Sequence, residues 1–409
     1  MVSNKLMLNS YLAIWVIAAI ATYTISESLE VGKLLAPLLV VFSFALLLSN
    51  YRLKYIEYLL FFTVSITSLL GLSENLNGFH SESNNVLLFG LSFYSASIAY
   101  LIARKKFNYG SILKVSNPLL LLTGPIALYF KRISYKSLRN RIEYYVPFIL
   151  VGFFMFQIVG SPLTKFFFLI NNTDVISSLL FAVIFELFVY FNFCGLSILI
   201  YGLFGVIGYR IPLNFNQPFS SRNIVEFWRG WHTSLSQVLK VLFYNPLRKK
   251  YSLFYALFGV YVASAMWHGV TFNFLLWGSF HAFFFWLSIK ILKINNSFLP
   301  LVLLPFIIVV GRLIFADSDT DRLLEKLTFS YDGFNSASIG LLAVSRHPLV
   351  ALLIGMMLVA SEFIFRNTKI MRKRNYKFLR TPFSLLILCG LGFLFASNVG
   401  IDYAVYGQR

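Results

Sequence analysis

Apolar runs of nearly membrane-spanning length follow one another along this chain, with few charges between them. Tyr11–Thr24, Leu34–Leu48, Leu59–Leu72 and Val86–Ile102 open the series, and each approaches the roughly 20 apolar residues that cross the hydrocarbon core of a bilayer. Of 409 residues, 58% are hydrophobic and 12% are charged, about half the charged share of a soluble domain. Lipid offers a backbone no hydrogen-bond partners, so spanning segments must satisfy themselves internally as helices. The expected fold is an all-α polytopic membrane bundle of about ten or eleven spanning helices, with re-entrant or interfacial helices added. A single integral membrane domain over residues 1–409 is expected, because neither an internal repeat nor a linker interrupts the pattern.

The formal net charge of +19 does not indicate nucleic-acid binding, because the cations sit in short loops between apolar runs and not on one folded face. Cations in short loops mark the cytoplasmic side. Arg52 and Lys54, then Glu74, His80 and Glu82, then Arg104, Lys105 and Lys106 alternate in sign along the chain, which predicts a cytoplasmic amino terminus. Lys5 precedes the first run, but no cleavage site stands out and further apolar runs follow at once, so that run is read as a retained helix. Pro118–Phe130 is bracketed by basic groups and is expected to dip in and return. Val146–Val159 and Ile176–Ile207 lead out and back, and the basic segment from Arg210 to Lys250 falls on the cytoplasmic face. Leu253–Met266 and Phe272–Ile289 then form a helical pair meeting at Trp267-His268-Gly269. Pro300–Phe315 leads to an acidic external loop with Asp317, Asp319, Asp321 and Glu325, Leu349–Phe365 returns to a basic loop, and Pro382–Phe395 is the last span.

Cys194 and Cys389 lie inside apolar runs and point to neither a disulfide framework nor a thiolate metal site. Among five histidines, His80 and His347 are expected in solvated loop positions. His281 is open between a packing role and a wall of a site. His268 interrupts an apolar stretch where two helices meet, and an ionisable side chain there is costly enough to suggest function. His232 closes Glu226-Phe227-Trp228-Arg229-Gly230-Trp231-His232. An interfacial amphipathic helix accounts for the tryptophans there but not for a histidine followed by Thr233-Ser234-Leu235-Ser236. An imidazole can take a proton from a hydroxyl while its oxygen attacks a carbonyl. A second histidine, or an amide such as Asn214 or Asn216, could orient the base or the acyl group. No carboxylate or thiolate stands at ligand spacing beside either histidine, so no metal is expected.

Three blocks, Pro212-Leu213-Asn214-Phe215-Asn216-Gln217-Pro218-Phe219, then Glu226 to Ser236, then Met266-Trp267-His268-Gly269 with Trp277-Gly278, resemble the membrane-bound O-acyltransferases. Within that family they resemble the alginate O-acetylation branch. Weaker echoes at Thr123–Ile126, Leu313–Phe315 and the chain end extend the likeness over about residues 118–409, with the motif-bearing core at about 118–316. The resemblance implies that His268 is the membrane-embedded catalytic histidine and His232 the second essential polar residue. It also implies substrate contacts at Asn214, Asn216, Trp228, Arg229, Trp231 and Trp267. It further implies a funnel through a bacterial inner membrane, no permanently bound cofactor, and acetyl-CoA as the donor. The acceptor would be a hydroxyl of an extracytoplasmic polysaccharide or peptidoglycan, reached directly or through a periplasmic partner. D-alanyl transfer toward teichoic acid is the alternative within the family. A transporter is the alternative outside it, though paired half-sequences are not seen.

Overall fold

The computed structural model describes residues 55–62, 82–108, 137–293, 298–328 and 346–364, with scattered positions from 111 to 133. The early runs from 11 to 48, His80, the last span, the basic loop before it and Cys389 lie outside these residues, as does nearly all of 118–130. The described chain is almost wholly helical. Among the described residues, four helical stretches are long and apolar enough to cross a membrane: Leu138–Asn171, Val175–Ile207, Phe272–Lys290 and Arg346–Ile364. Leu253–His268 and Val302–Ala316 are shorter apolar helices.

The first two helices are α1 (Ile56–Phe61) and α2 (Glu82–Ala103). Then α3 (Leu138–Phe153) continues as a π-helical turn over Phe154–Gly160 and a 3-10 stretch over Ser161–Asn171. Pro162 explains the break: it has no N–H to return to the preceding turn, so the hydrogen-bond register changes just before it. Asp174 starts α4 (Val175–Ile207) by accepting the Ser177 N–H at 2.9 Å, and Gly208 ends it at φ 111°, a left-handed value that suits glycine. Past Gly208 a two-residue ribbon pairs Lys131 with Arg210 and Arg132 with Tyr209, antiparallel.

The α3 segment and α4 cross at glycines. A Cβ on Gly195 would lie 2.6 Å from the Phe156 nitrogen and 2.8 Å from the Gly152 carbonyl oxygen. Small residues let apolar helices approach until their backbones touch, which is how such helices associate without a hydrophobic drive between them. Gly195→Leu should therefore destabilise the protein by at least the roughly 1–3 kcal/mol typical of overpacking. The check is a lower melting temperature in detergent, and an unchanged one would deny the close crossing.

Downstream, α5 (Ile224–Gly230), α6 (Thr233–Leu239), a π-helical turn at Lys240–Tyr244 and α7 (Asn245–Lys250) form a chain of short helices. Helices α8 (Leu253–His268) and α9 (Phe272–Lys293) pack as the expected pair, and α10 (Phe298–Ala316) lies between α9 and α4. The basic stretch from 210 to 250 is not a simple surface segment. Arg222, Arg229 and Lys240 are exposed, whereas Ile224, Phe227, Trp231, Leu235, Val238 and Leu242 are core residues. Its cations reach outward while its apolar face enters the bundle.

The acidic loop expected after α10 is also corrected. Most of it is α11 (Thr320–Thr328), whose first turn is capped by Asp319 accepting the Arg322 N–H at 3.0 Å. Asp317 is fully buried, receiving Lys326 Nζ at 2.8 Å and Arg322 Nη2 at 2.7 Å. Burial alone would raise the Asp317 pKa, but the hydrogen bonds and charges of Arg322 and Lys326 outweigh it and hold the carboxyl below its usual value. A depressed native pKa gives stability that is present above the unfolded aspartate value, about 3.9, and is lost as pH falls through the native one. Acid melting should steepen in that range, and Asp317→Asn should remove the steepening along with stability at neutral pH. His347, expected in solvent, lies half-buried in the first turn of α12 (Arg346–Ile364).

Candidate functional site

The site is built where the chain before α5 zips onto the start of α6. Asn216 donates its backbone N–H to the Gly230 carbonyl at 2.8 Å, and Thr233 donates to the Asn214 carbonyl at 2.8 Å. The Thr233 hydroxyl donates to the Leu213 carbonyl at 2.7 Å. The approach is close enough that a Cβ on Gly230 would lie 2.9 Å from the Asn216 carbonyl oxygen, which accounts for glycine at that position.

Asn214 is buried completely. Its side-chain oxygen accepts both the Ser234 N–H at 3.2 Å and the Ser234 hydroxyl at 2.7 Å. Ser234 Oγ in turn accepts the Ile126 N–H at 3.2 Å. His232 precedes α6 in a left-handed conformation, φ 44° and ψ 56°, and its Nδ1 accepts the Leu235 N–H at 3.3 Å. A non-glycine residue held there is uncommon and marks a position fixed by its surroundings. The ring is 6% exposed, with centroids of Phe193 at 4.8 Å, Trp267 at 6.1 Å and Phe93 at 6.4 Å. Burial, reinforced by nearby His268, lowers the His232 pKa to about 3, so the imidazole is neutral across the physiological range.

His268 ends α8, and the N–H of Gly269 returns to the Ala265 carbonyl at 3.1 Å. Its ring lies 5.0 Å from Trp267, 5.0 Å from Phe315, 5.9 Å from Trp277 and 6.0 Å from Phe274. Trp267 therefore touches both imidazoles, and the two histidines of the sequence motifs share one aromatic wall. His281, left open by the sequence, is buried against Trp277 at 5.0 Å and Trp228 at 5.1 Å. A Cβ on Gly311 would lie 2.4 Å from its Nε2, so α10 approaches α9 tightly at that ring.

A cavity of about 590 Å³ runs beside this cluster, lined by Trp228, Arg229, His232, Lys240, Tyr261 and Ser264 among others. A second, of about 440 Å³, includes Lys131, Tyr201 and Arg210, and it shares Thr233 and Gln237 with the first. Of the residues expected to bind substrate, Trp228, Arg229 and Trp231 line the larger cavity. Trp267 joins the histidines, and Asn214 braces Ser234 from below. Asn216 is exposed and enters the architecture through its backbone, outside the cavity lining.

Sequence reasoning passed over Arg312 and Glu186. They form a buried ion pair between α10 and α4. The guanidinium carbon sits 5.2 Å from the Phe315 ring and 5.6 Å from that of Trp231, touching a ring neighbour of His268 and the residue beside His232. One acid in the apolar run of α4 and one arginine in that of α10 were a readable sign, since buried charge in such helices is rare unless paired.

Residues 107–299 match the membrane-bound O-acyltransferase family, MBOAT. The chain is 36% identical over 138 residues to the probable alginate O-acetylase AlgI of Pseudomonas aeruginosa, covering 31% of this chain and 26% of that protein. It is 35% identical over 96 residues to the peptidoglycan O-acetyltransferase of Helicobacter pylori, covering 22% and 18%. With the teichoic acid D-alanyltransferase of Streptococcus thermophilus it shares 29% identity over 207 residues, covering 43% and 49%. The matched stretches thus span from about a fifth to half the length of these relatives.

Proposed function

With residues 107–299 matching the membrane-bound O-acyltransferase family, we propose that this chain moves a small acyl group, acetyl foremost, from a cytoplasmic thioester to a hydroxyl of an extracytoplasmic polysaccharide or peptidoglycan. The observation that carries this reading is the pair His232 and His268, both packed against Trp267, with His232 at the wall of a cavity large enough for an acyl donor's arm.

His268 is the proton acceptor of the reaction. The acceptor hydroxyl passes its proton to the imidazole as its oxygen bonds to the thioester carbonyl carbon. The carbon–sulfur bond then breaks, and the departing thiolate takes the proton back from the imidazolium. Arg229 and Lys240 line the larger cavity and, with Arg222, suit an anionic donor such as acetyl-CoA. These cations face the cytoplasm of a bacterial inner membrane, and the amino terminus lies on the same side. Delivery to the glycan is direct or through a periplasmic partner.

The test is transfer by purified protein in proteoliposomes, with radiolabelled acetyl-CoA outside and glycan inside. Label on the glycan is the expected result, and none with any acyl donor would refute the reading. The 207-residue match to a D-alanyltransferase favours a second reading, D-alanyl transfer toward teichoic acid. Turnover with carrier-bound D-alanine and not with acetyl-CoA would select it. Movement of unmodified glycan without any donor would instead indicate a transporter.

A further inference from the structure

Hydrogen directions around His232 determine which of its nitrogens carries the proton. A backbone N–H can only donate. The Leu235 N–H meets Nδ1 of His232 at 3.3 Å, so Nδ1 presents a lone pair. The Ser234 N–H meets Oδ1 of Asn214 at 3.2 Å, so that atom is the amide oxygen. The Ser234 hydroxyl, 2.7 Å from the same oxygen, must give it its hydrogen and has none left for Nδ1, from which it stands 3.5 Å away. A neutral imidazole carries one hydrogen, which in His232 is therefore on Nε2. The ring neighbours Phe93, Phe193, Phe215 and Trp267 offer no counter-charge to an imidazolium. Yet Nε2 is buried with no hydrogen-bond partner among the described residues, as is Nδ2 of Asn214. Buried donors are nearly always satisfied, so one left over at the wall of a cavity points to a ligand atom.

We propose that His232 is not a proton acceptor but presents Nε2–H as a hydrogen-bond donor to the carbonyl oxygen of the acyl group, with His268 alone as the base. This rests on the transferase reading. As the acceptor oxygen bonds to the carbonyl carbon, the carbonyl electron pair moves onto oxygen and Nε2–H stabilises the charge there. The pair returns as the thiolate leaves, and His232 neither gains nor loses a proton. Donors aimed at developing oxyanions contribute about 10²–10³ in kcat.

Glutamine can place an N–H near the position of Nε2–H but cannot act as a base, whereas asparagine reaches only as far as Nδ1. His232→Gln should keep kcat within about tenfold of wild type, while His232→Asn should lose about 10²–10³-fold. The acidic limb of the pH–rate profile should be the same in wild type and His232→Gln, since His268 sets it. A second measurement needs no substrate: ¹⁵N spectra of histidine-labelled protein, differenced against whichever variant melts with the wild type. They should show His232 with a bare Nδ1 and a protonated Nε2 at neutral pH. Failure of acyl transfer in every assay would count against the function and leave this spectrum standing. A protonated Nδ1, or a folded His232→Gln as inactive as His232→Asn, would overturn the donor role.

Discussion

Replacing His268 by alanine should lower the rate of acyl transfer by about 10²–10⁴-fold, the contribution of a positioned general base, while the protein still folds. His268 is the last residue of α8, and its ring leans on Trp267, Phe274, Trp277 and Phe315. Those rings also pack on one another, Trp277 with Phe315 at 5.4 Å and Phe274 with Phe315 at 5.0 Å, so the wall outlasts the loss of one member. His268 is not among the residues lining the larger cavity, and the loss should fall on kcat with donor KM little changed. Glutamine at 268 should not rescue, in contrast to glutamine at 232. The measurement is steady-state transfer beside a melting curve in detergent, and retained turnover in a folded His268→Ala sample would place the base elsewhere.

Arg312→Met should be the most destabilising change at the site, costing about 3–5 kcal/mol, the range found when one partner of a buried ion pair is removed. The loss is large because Glu186, 4% exposed, would stay in the core without its cation; one of its carboxylate oxygens already lacks a hydrogen-bond partner among the described residues. Removing both charges in Glu186→Gln with Arg312→Met should recover most of the stability, since a buried pair as a whole contributes little beyond a neutral replacement. Four melting curves in detergent complete the cycle. If Arg312→Met melts with the wild type, the charge of Glu186 is met in some other way. Turnover should also fall in the single variant, because the guanidinium holds the rings of Trp231 and Phe315 against their neighbours.

The helical pair that carries His268 was legible almost to the residue. Leu253–Met266 and Phe272–Ile289 became Leu253–His268 and Phe272–Lys293, because unbroken apolar runs on either side of Gly269 leave a helix no other place to end. The stretch Asp317–Glu325, read as a loop, is largely helical. There the acids suggested a loop, but Arg322 and Lys326 follow Asp317 and fold back onto it as helix α11. The same local view made Asn214 and Asn216 equivalent amides. In the fold Asn214 is buried on Ser234 and Asn216 is exposed.

By itself the sequence determined the membrane character of the chain, the helices around Gly269 and the residue types able to move a proton. These follow from local hydropathy and side-chain chemistry, which need no knowledge of distant contacts. Tertiary structure decided that Trp267 joins two histidines 36 residues apart in sequence. It also decided that Arg312 meets Glu186 across 126 residues. Each of these depends on where a partner far along the chain is placed, and a periodic apolar pattern is equally compatible with many such placements.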